Sequence, residues 1–200
     1  MLRVLGRSTS GNVQKVVWLL EELGRPYGRE DYGRQFNNTQ EAAYLKLNPN
    51  AKVPTLVDGD VVVWESNSIL RYICNSHDGR SFYPTDSAAR SIVERWMDWQ
   101  LSSLNGPYLA IFKEAKKPAA ERAASWDADA KELKAQLEIL ERGTAGGPWL
   151  AGAEMSLADI CLGPIVHRCL DFPIDLPGLT GIRVWRDKIA ARPAFKKATG

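Results

Sequence analysis

Three short stretches in the first third of the chain carry residues able to do chemistry: Ser8 to Asn12, Val53-Pro54 and Glu65-Ser66. Glu65-Ser66 precedes a helical pattern. A hydroxyl beside the free amides of a helix start binds a carboxylate, and an adjacent Glu binds an ammonium. Together they suit the amino-acid end of a small peptide. The plainer reading makes Ser66 a helix N-cap and Glu65 a solvated charge near a favourable dipole. Val53-Pro54 stands just before a strand. A trans bond there merely starts the strand, whereas a cis bond turns the Val53 N–H and C=O outward to pair with an extended peptide. Ser8 to Asn12 lies where a strand meets a helix. It serves either as a turn and cap or as a hydroxyl or amide presented to a bound thiol. Such a donor at a helix N-terminus lowers the thiol pKa, and the thiolate is the nucleophile.

These residues need elements to position them. Leu2 to Leu5 reads as a strand, and Val13, Val16, Val17, Leu20 and Leu23 recur at helical spacing with Lys15, Glu21 and Glu22 on the other face. Gly24 and Pro26 end that helix. A second strand is expected over Tyr27 to Tyr32, and a short helix within residues 39–47. Residues 55–57 and 61–63 flank Asp58-Gly59, a hairpin signal because Gly accepts positive φ. Ile69, Leu70 and Ile73 mark a third helix running from Ser66 to about Asn75. The order β-α-β-α-β-β-α implies a small mixed sheet carrying helices.

Residues 79–87 read as a polar linker, after which strand signals cease. Ile92, Val93, Trp96, Trp99 and Leu104 suit a long helix, interrupted near Gly106-Pro107 and resuming through Phe112. A second helix is expected from Ala120 to Leu140. Ser156-Leu-Ala-Asp159 is a capping box, Pro164 is expected to kink the helix it opens, and a last helical stretch surrounds Trp185 and Ile189. The division expected is therefore 1–78, a linker at 79–87, and an all-α part over 88–200.

Composition excludes several classes. The 26 basic and 24 acidic residues leave a formal charge of +2. Neither part is strongly basic, which argues against nucleic-acid binding through phosphate neutralisation. Three cysteines without a C-x-x-C pair, and two histidines, offer no zinc pattern, so no metal is expected. The cysteines read as reduced, buried thiols in a cytoplasmic protein. No signal-peptide pattern opens the chain, and no apolar run approaches the roughly 20 residues that cross a bilayer.

"STSGNVQKVVWLLEELGRPY", "NPNAKVPTLVDGD", "WESNSILRYI" and "SLADI", in this order, resemble segments of the cytosolic glutathione S-transferase family. The resemblance spans nearly the whole chain. It implies a thioredoxin-like N-terminal domain (βαβαββα with a mixed four-stranded sheet), then an all-α C-terminal bundle, with glutathione as co-substrate and a homodimer. By resemblance, Pro54 is the cis-proline and Val53 pairs with the cysteine part of glutathione. Glu65 and Ser66 hold the γ-glutamyl ammonium and carboxylate. Lys52 is a candidate for the glycine carboxylate, with Arg34 and Gln35 competing. The tyrosine of other classes has no equivalent here. Counting from the helix, Ser10 matches the serine-type hydroxyl and Asn12 the asparagine of bacterial classes, and both stay open as the thiolate stabiliser. No cysteine stands there, so a cysteine-type mechanism is not expected. Ala51 occupies a place where some serine-type members carry histidine. An acceptor pocket for a small hydrophobic electrophile is expected between the domains, with Trp99, Ser103, Tyr108 and Phe112 as candidates beside their plainer role in the core. His167 reads as structural.

Three functions remain: a transferase whose thiolate attacks carbon, a glutathione-dependent disulfide reductase or peroxidase, and a non-catalytic binder of hydrophobic ligands or partners. The intact Glu65-Ser66 pair speaks against the last.

Overall fold

A computed structural model describes residues 1–200. Its first compact unit comprises residues 1–85 together with 190–200, and its second comprises residues 86–189. The break after residue 85 falls inside the stretch expected as a linker, 79–87, while residues 190–200, expected in the all-α part, cluster with the first unit.

In the first unit, β1 (Leu2–Leu5), α1 (Gly11–Glu22), β2 (Tyr27–Glu30), α2 (Ala42–Leu45), β3 (Thr55–Asp58), β4 (Val61–Trp64) and α3 (Ser66–Ser76) follow the expected order. The sheet runs β2-β1-β3-β4. β1 pairs in parallel with β2 and antiparallel with β3, and β3 pairs antiparallel with β4. Leu2, Val4 and Leu5 bury the central strand. β2 is shorter than expected, and the ambiguous stretch before β3 holds a 3₁₀ turn, Arg34–Phe36, as well as α2. The hairpin is closed by the pair Asp58–Val61. Its loop is therefore Gly59-Asp60, one residue later than expected, because Asp58 keeps its place in the ladder and Gly59 takes the positive φ of 59°.

α1 departs from a simple amphipathic helix. Lys15, expected on the polar face, is 0% exposed. The helix packs on β1, α3 and the last helix, α9 (Pro193–Thr199), rather than showing one face to water. Trp18 meets Phe195 edge-on at 4.9 Å. Arg192 binds Glu22 in a two-point fork with bonds of 2.5 and 2.7 Å, a geometry that adds direction to charge attraction. Lys197 reaches Glu21 at 2.8 Å. The acids at the end of α1, placed on the face opposite the apolar stripe, are thus partners of the segment that forms α9 and its N-cap.

The second unit holds α4 (Ser87–Trp99), α5 (Asn105–Glu114), α6 (Trp126–Gly143), α7 (Leu157–Cys169) and most of α8 (Thr180–Ala191). The interruption expected at Gly106-Pro107 appears instead as a wide π-helical turn over Gln100–Leu104, so the chain remains helical from α4 into α5. Pro107 cannot donate to the carbonyl four residues back, and a wide turn absorbs such a mismatch. α6 begins at Trp126 rather than Ala120, because Ala119–Glu121 form a separate 3₁₀ turn closed by an extended Arg122. α7 continues through Pro164 to Cys169. Cys74 in the first unit and Cys161 and Cys169 in the second are free and buried.

The expected capping box is present. Ser156 accepts from the Ala158 N–H, and Asp159 accepts from the Ser156 N–H. Asp159 also takes the Leu150 N–H at 3.0 Å and the Trp185 indole N–H at 2.8 Å, while 0% exposed. One carboxylate therefore joins the start of α7, the preceding loop and α8. A buried donor left unsatisfied costs about 1–3 kcal/mol. Asp159→Ala orphans several, so chemical denaturation of this variant is expected to show a loss above about 3 kcal/mol.

Candidate active site

Six of the residues singled out in the first unit, Asn12, Lys52, Val53, Pro54, Glu65 and Ser66, line one cleft together with Asn48. Three sections of chain supply them: the start of α1, the loop before β3 and the start of α3.

The loop is held from behind. The Asn48 carboxamide donates to the Lys52 carbonyl at 2.8 Å and to the Thr55 hydroxyl at 3.0 Å, and its oxygen accepts the Asn50 N–H at 3.0 Å. The Tyr44 hydroxyl donates to the Lys52 carbonyl at 2.6 Å and lies 2.9 Å from the Thr55 hydroxyl. Burial pushes the Tyr44 phenol up, so it stays a protonated donor. Tyr32 stacks on its ring at 4.9 Å. Ala51 completes the turn at φ 54°. The Val53-Pro54 bond is cis, as the family resemblance implies. The half-buried Val53 makes no backbone–backbone hydrogen bond with the rest of the protein. Gly6 admits this loop: a Cβ there would stand 2.4 Å from Val13 Cγ2 and 3.2 Å from Val53 Cβ.

Ser66 is not the N-cap of α3. Glu65 holds that position at φ 69°, and no side chain caps the helix. A non-glycine residue in this region is strained by about 1–3 kcal/mol and persists where its surroundings impose it. The result places Ser66, 3% exposed, in the first turn of the helix. The Glu65 carboxylate stays exposed, with Oε1 accepting from Asn50 Nδ2 at 3.2 Å. Acid, hydroxyl and helix start are thus adjacent.

Ser10 and Asn12 part company. Ser10 stands at the N-cap of α1 but its side chain makes no capping bond, and at 7% exposure it is not among the cleft residues. Asn12 lines the cleft, and its Oδ1 is buried without a hydrogen-bond partner. A half-turn of the carboxamide exchanges that oxygen for a two-proton donor.

Lys52 is exposed on the cleft rim, whereas Arg34 and Gln35 sit on the 3₁₀ turn outside the lining. In the second unit, Tyr108 and Phe112 lie 5.7 Å apart, and Phe172 stands 6.0 and 6.5 Å from them. Trp99 is separate from this trio, edge-on to Trp96 at 5.4 Å, and the Ser103 hydroxyl lies 3.3 Å from that of Ser102. His167 is half-buried, and burial, with Arg186 and Arg168 nearby, pushes its imidazole below the usual range against Asp171 and Asp187. This suits a neutral structural ring.

Asn48, Asn50, Tyr44 and Phe172 did not stand out in the sequence. Asn48-Pro49-Asn50 carries a turn signal, but nothing local says that the first carboxamide holds a loop four residues on.

The family model described as glutathione S-transferase, N-terminal domain, matches residues 2–75, and the corresponding C-terminal domain model matches 104–193. Glutathione S-transferase GstB of Escherichia coli K12 is 32% identical over 98% of this chain and 97% of its own. Glutathione S-transferase 4 of Zea mays is 31% identical over 98% and 91%. A theta class glutathione S-transferase from Xanthomonas axonopodis pv. citri, crystallised with glutathione bound, superposes with a TM-score of 0.93 at 34% identity, covering 99% of this chain and 96% of that one. A glutathione S-transferase from Pseudomonas fluorescens gives 0.86 at 31%, covering 96% of each.

The geometry separates support from contact. Asn48→Ala is expected to lower stability by about 2 kcal/mol, since it strands buried partners. Ser10→Ala, which removes no capping bond, is expected to lower it by less than the roughly 1 kcal/mol typical of a lost cap. Thermal melts of the two variants compare them directly.

Proposed function

The chain belongs to the glutathione S-transferase family, and we propose that it binds glutathione in the cleft of its first unit and transfers the thiolate to a small hydrophobic electrophile. The observation that carries this reading is the adjacency of Glu65 and Ser66 at the start of α3, beside the cis Val53-Pro54 bond and the unpartnered Asn12 oxygen. The donor set fits a γ-glutamyl peptide. Ser66 and the α3 amides meet its α-carboxylate, and Glu65 meets its ammonium. Val53 pairs with its backbone, and Lys52 reaches the glycine carboxylate. In the reaction the thiol gives up its proton, sulfur forms a bond to the electrophilic carbon, and the leaving group departs with its bonding pair. The protein's part is to hold the sulfur ionised and in place. Trp99, Ser103, Tyr108 and Phe112 remain the candidates for the acceptor.

The protein is placed in the cytoplasm on the same reading; no helix is long and apolar enough to cross a membrane. It acts as a homodimer, with the region after Ser66 facing the partner's helix around Ile92 to Trp99. A formal charge of +2 does not oppose such association.

A second enzymatic reading has an observation of its own. Asn12, not Ser10, lines the cleft, and by resemblance Asn12 matches the asparagine of bacterial classes that often reduce disulfides. There the thiolate attacks sulfur and a second thiol leaves.

Titration calorimetry with glutathione tests the binding mode. Ser66→Ala is expected to weaken binding by about 10-fold or more, the loss of a charge-assisted hydrogen bond worth about 1.5–3 kcal/mol. Unchanged affinity would remove the γ-glutamyl carboxylate from this place. Thiolate absorbance against pH tests the stabiliser: Asn12→Ala is expected to raise the bound thiol's pKa by about one unit, or 1.4 kcal/mol, and Ser10→Ala by less. The reverse order would return the role to Ser10. Parallel assays with an aryl halide, a small disulfide and a hydroperoxide then decide between attack on carbon and attack on sulfur.

A further inference from the structure

A carboxylate meant to meet an ammonium must be both charged and aimed. Glu65 has a long, exposed side chain, and fixing such a chain costs rotamer freedom. Its backbone is set by the strained N-cap position at φ 69°, but the backbone does not fix the carboxylate. The Asn50 carboxamide holds it, donating to Oε1 at 3.2 Å.

Asn50 is itself anchored. Its N–H is held by Asn48 Oδ1 at 3.0 Å, and the next residue, Ala51, turns the chain at φ 54°. Asn48 is fixed in turn by its bonds to the Lys52 carbonyl and the Thr55 hydroxyl. A rigid loop therefore presents one neutral donor to one oxygen of Glu65. Neutrality matters here. A lysine or arginine at the same place would hold the carboxylate by neutralising it and would compete with an incoming ammonium. A carboxamide leaves the full charge, with Oε2 and a lone pair on Oε1 free to accept.

We propose that Asn50 is a positioning residue that aims the Glu65 carboxylate at the γ-glutamyl amino group and so sets the preference for thiol peptides carrying that group. The inference rests on the glutathione reading above and extends it to a residue outside the cleft lining. Pre-organisation of this kind strengthens binding by removing an ordering cost rather than by adding a contact.

The test compares two thiol peptides by titration calorimetry: glutathione, and glutaryl-cysteinyl-glycine, in which hydrogen replaces the γ-glutamyl amino group. The wild type is expected to prefer glutathione. Asn50→Ala is expected to reduce that preference about fivefold, in line with one ordinary hydrogen bond, by weakening glutathione while leaving the des-amino peptide unmoved. Asn50→Gln, which keeps the donor, recovers part of it. An unchanged preference in Asn50→Ala, or an equal loss for both peptides, overturns the inference. Glu65→Gln on the same pair isolates the underlying reading. If the preference survives Glu65→Gln, the ammonium does not sit at Glu65, and the role of Asn50 falls with that placement. If it vanishes in Glu65→Gln yet persists in Asn50→Ala, the inference about Asn50 alone fails.

Discussion

The carboxamide of Asn48 is the contact on which the candidate site depends. Its hydrogen bonds to Lys52, Thr55 and Asn50 join both ends of a loop that has no regular structure. A loop of this kind has to satisfy its own polar groups, because the strands on either side do not reach them. With Tyr44 contributing a second donor to the Lys52 carbonyl, the loop behaves as an extension of β3. Val53 and Pro54 therefore stand at fixed height beside the starts of α1 and α3. Each remaining feature of the cleft is an edge of that arrangement.

A different constraint operates behind the site. α1 supplies Asn12 at one end and is clamped at the other by α9. The Trp18–Phe195 contact, the Arg192–Glu22 fork and the Lys197–Glu21 bond are all close to its C-terminal half. Tyr27 adds a hydrogen bond to Glu21 at 2.6 Å. Burial works to raise the Glu21 carboxyl, but the Lys197 and Tyr27 hydrogen bonds hold it below the usual range. The last turn of the chain thus fixes the helix whose first turn faces the cleft.

What could be read beforehand divides along physical lines. The hairpin and the Ser156–Asp159 box are local devices whose residue types and spacing carry their mechanism, and both were legible. Val53-Pro54 and Glu65-Ser66 each had two readings in their residues, and only the family resemblance implied the cis bond. The burial of Lys15 was not, because helical periodicity reports one apolar face and is blind to a second element arriving on the other. The same blindness hid the attachment of α9 to the N-terminal unit, which depends on contacts some 170 positions apart in sequence. The π-helical turn at Gln100–Leu104 was displaced from Gly106-Pro107 because a proline's missing donor is felt a turn upstream. Ser10 and Asn12 were indistinguishable by counting. Which of them lines the cleft depends on how the first turn of α1 is rotated, a matter of tens of degrees that spacing does not encode.

The three cysteines have a consequence for how this protein handles sulfur. Burial pushes the Cys74 thiol up to about 12 and drives that of Cys169 higher still against the pull of Arg168. Cys161 is fully buried and directs its S–H at the Gln100 oxygen, 3.6 Å away. Cys74 and Cys169 are thus kept protonated, and all three thiols are out of reach, under conditions in which an enzyme of this family works with thiolates. Electrophiles and oxidants that diffuse in therefore meet no exposed thiol of the host. Among thiols, alkylation of the native protein near neutral pH would therefore report on a bound one rather than on the scaffold.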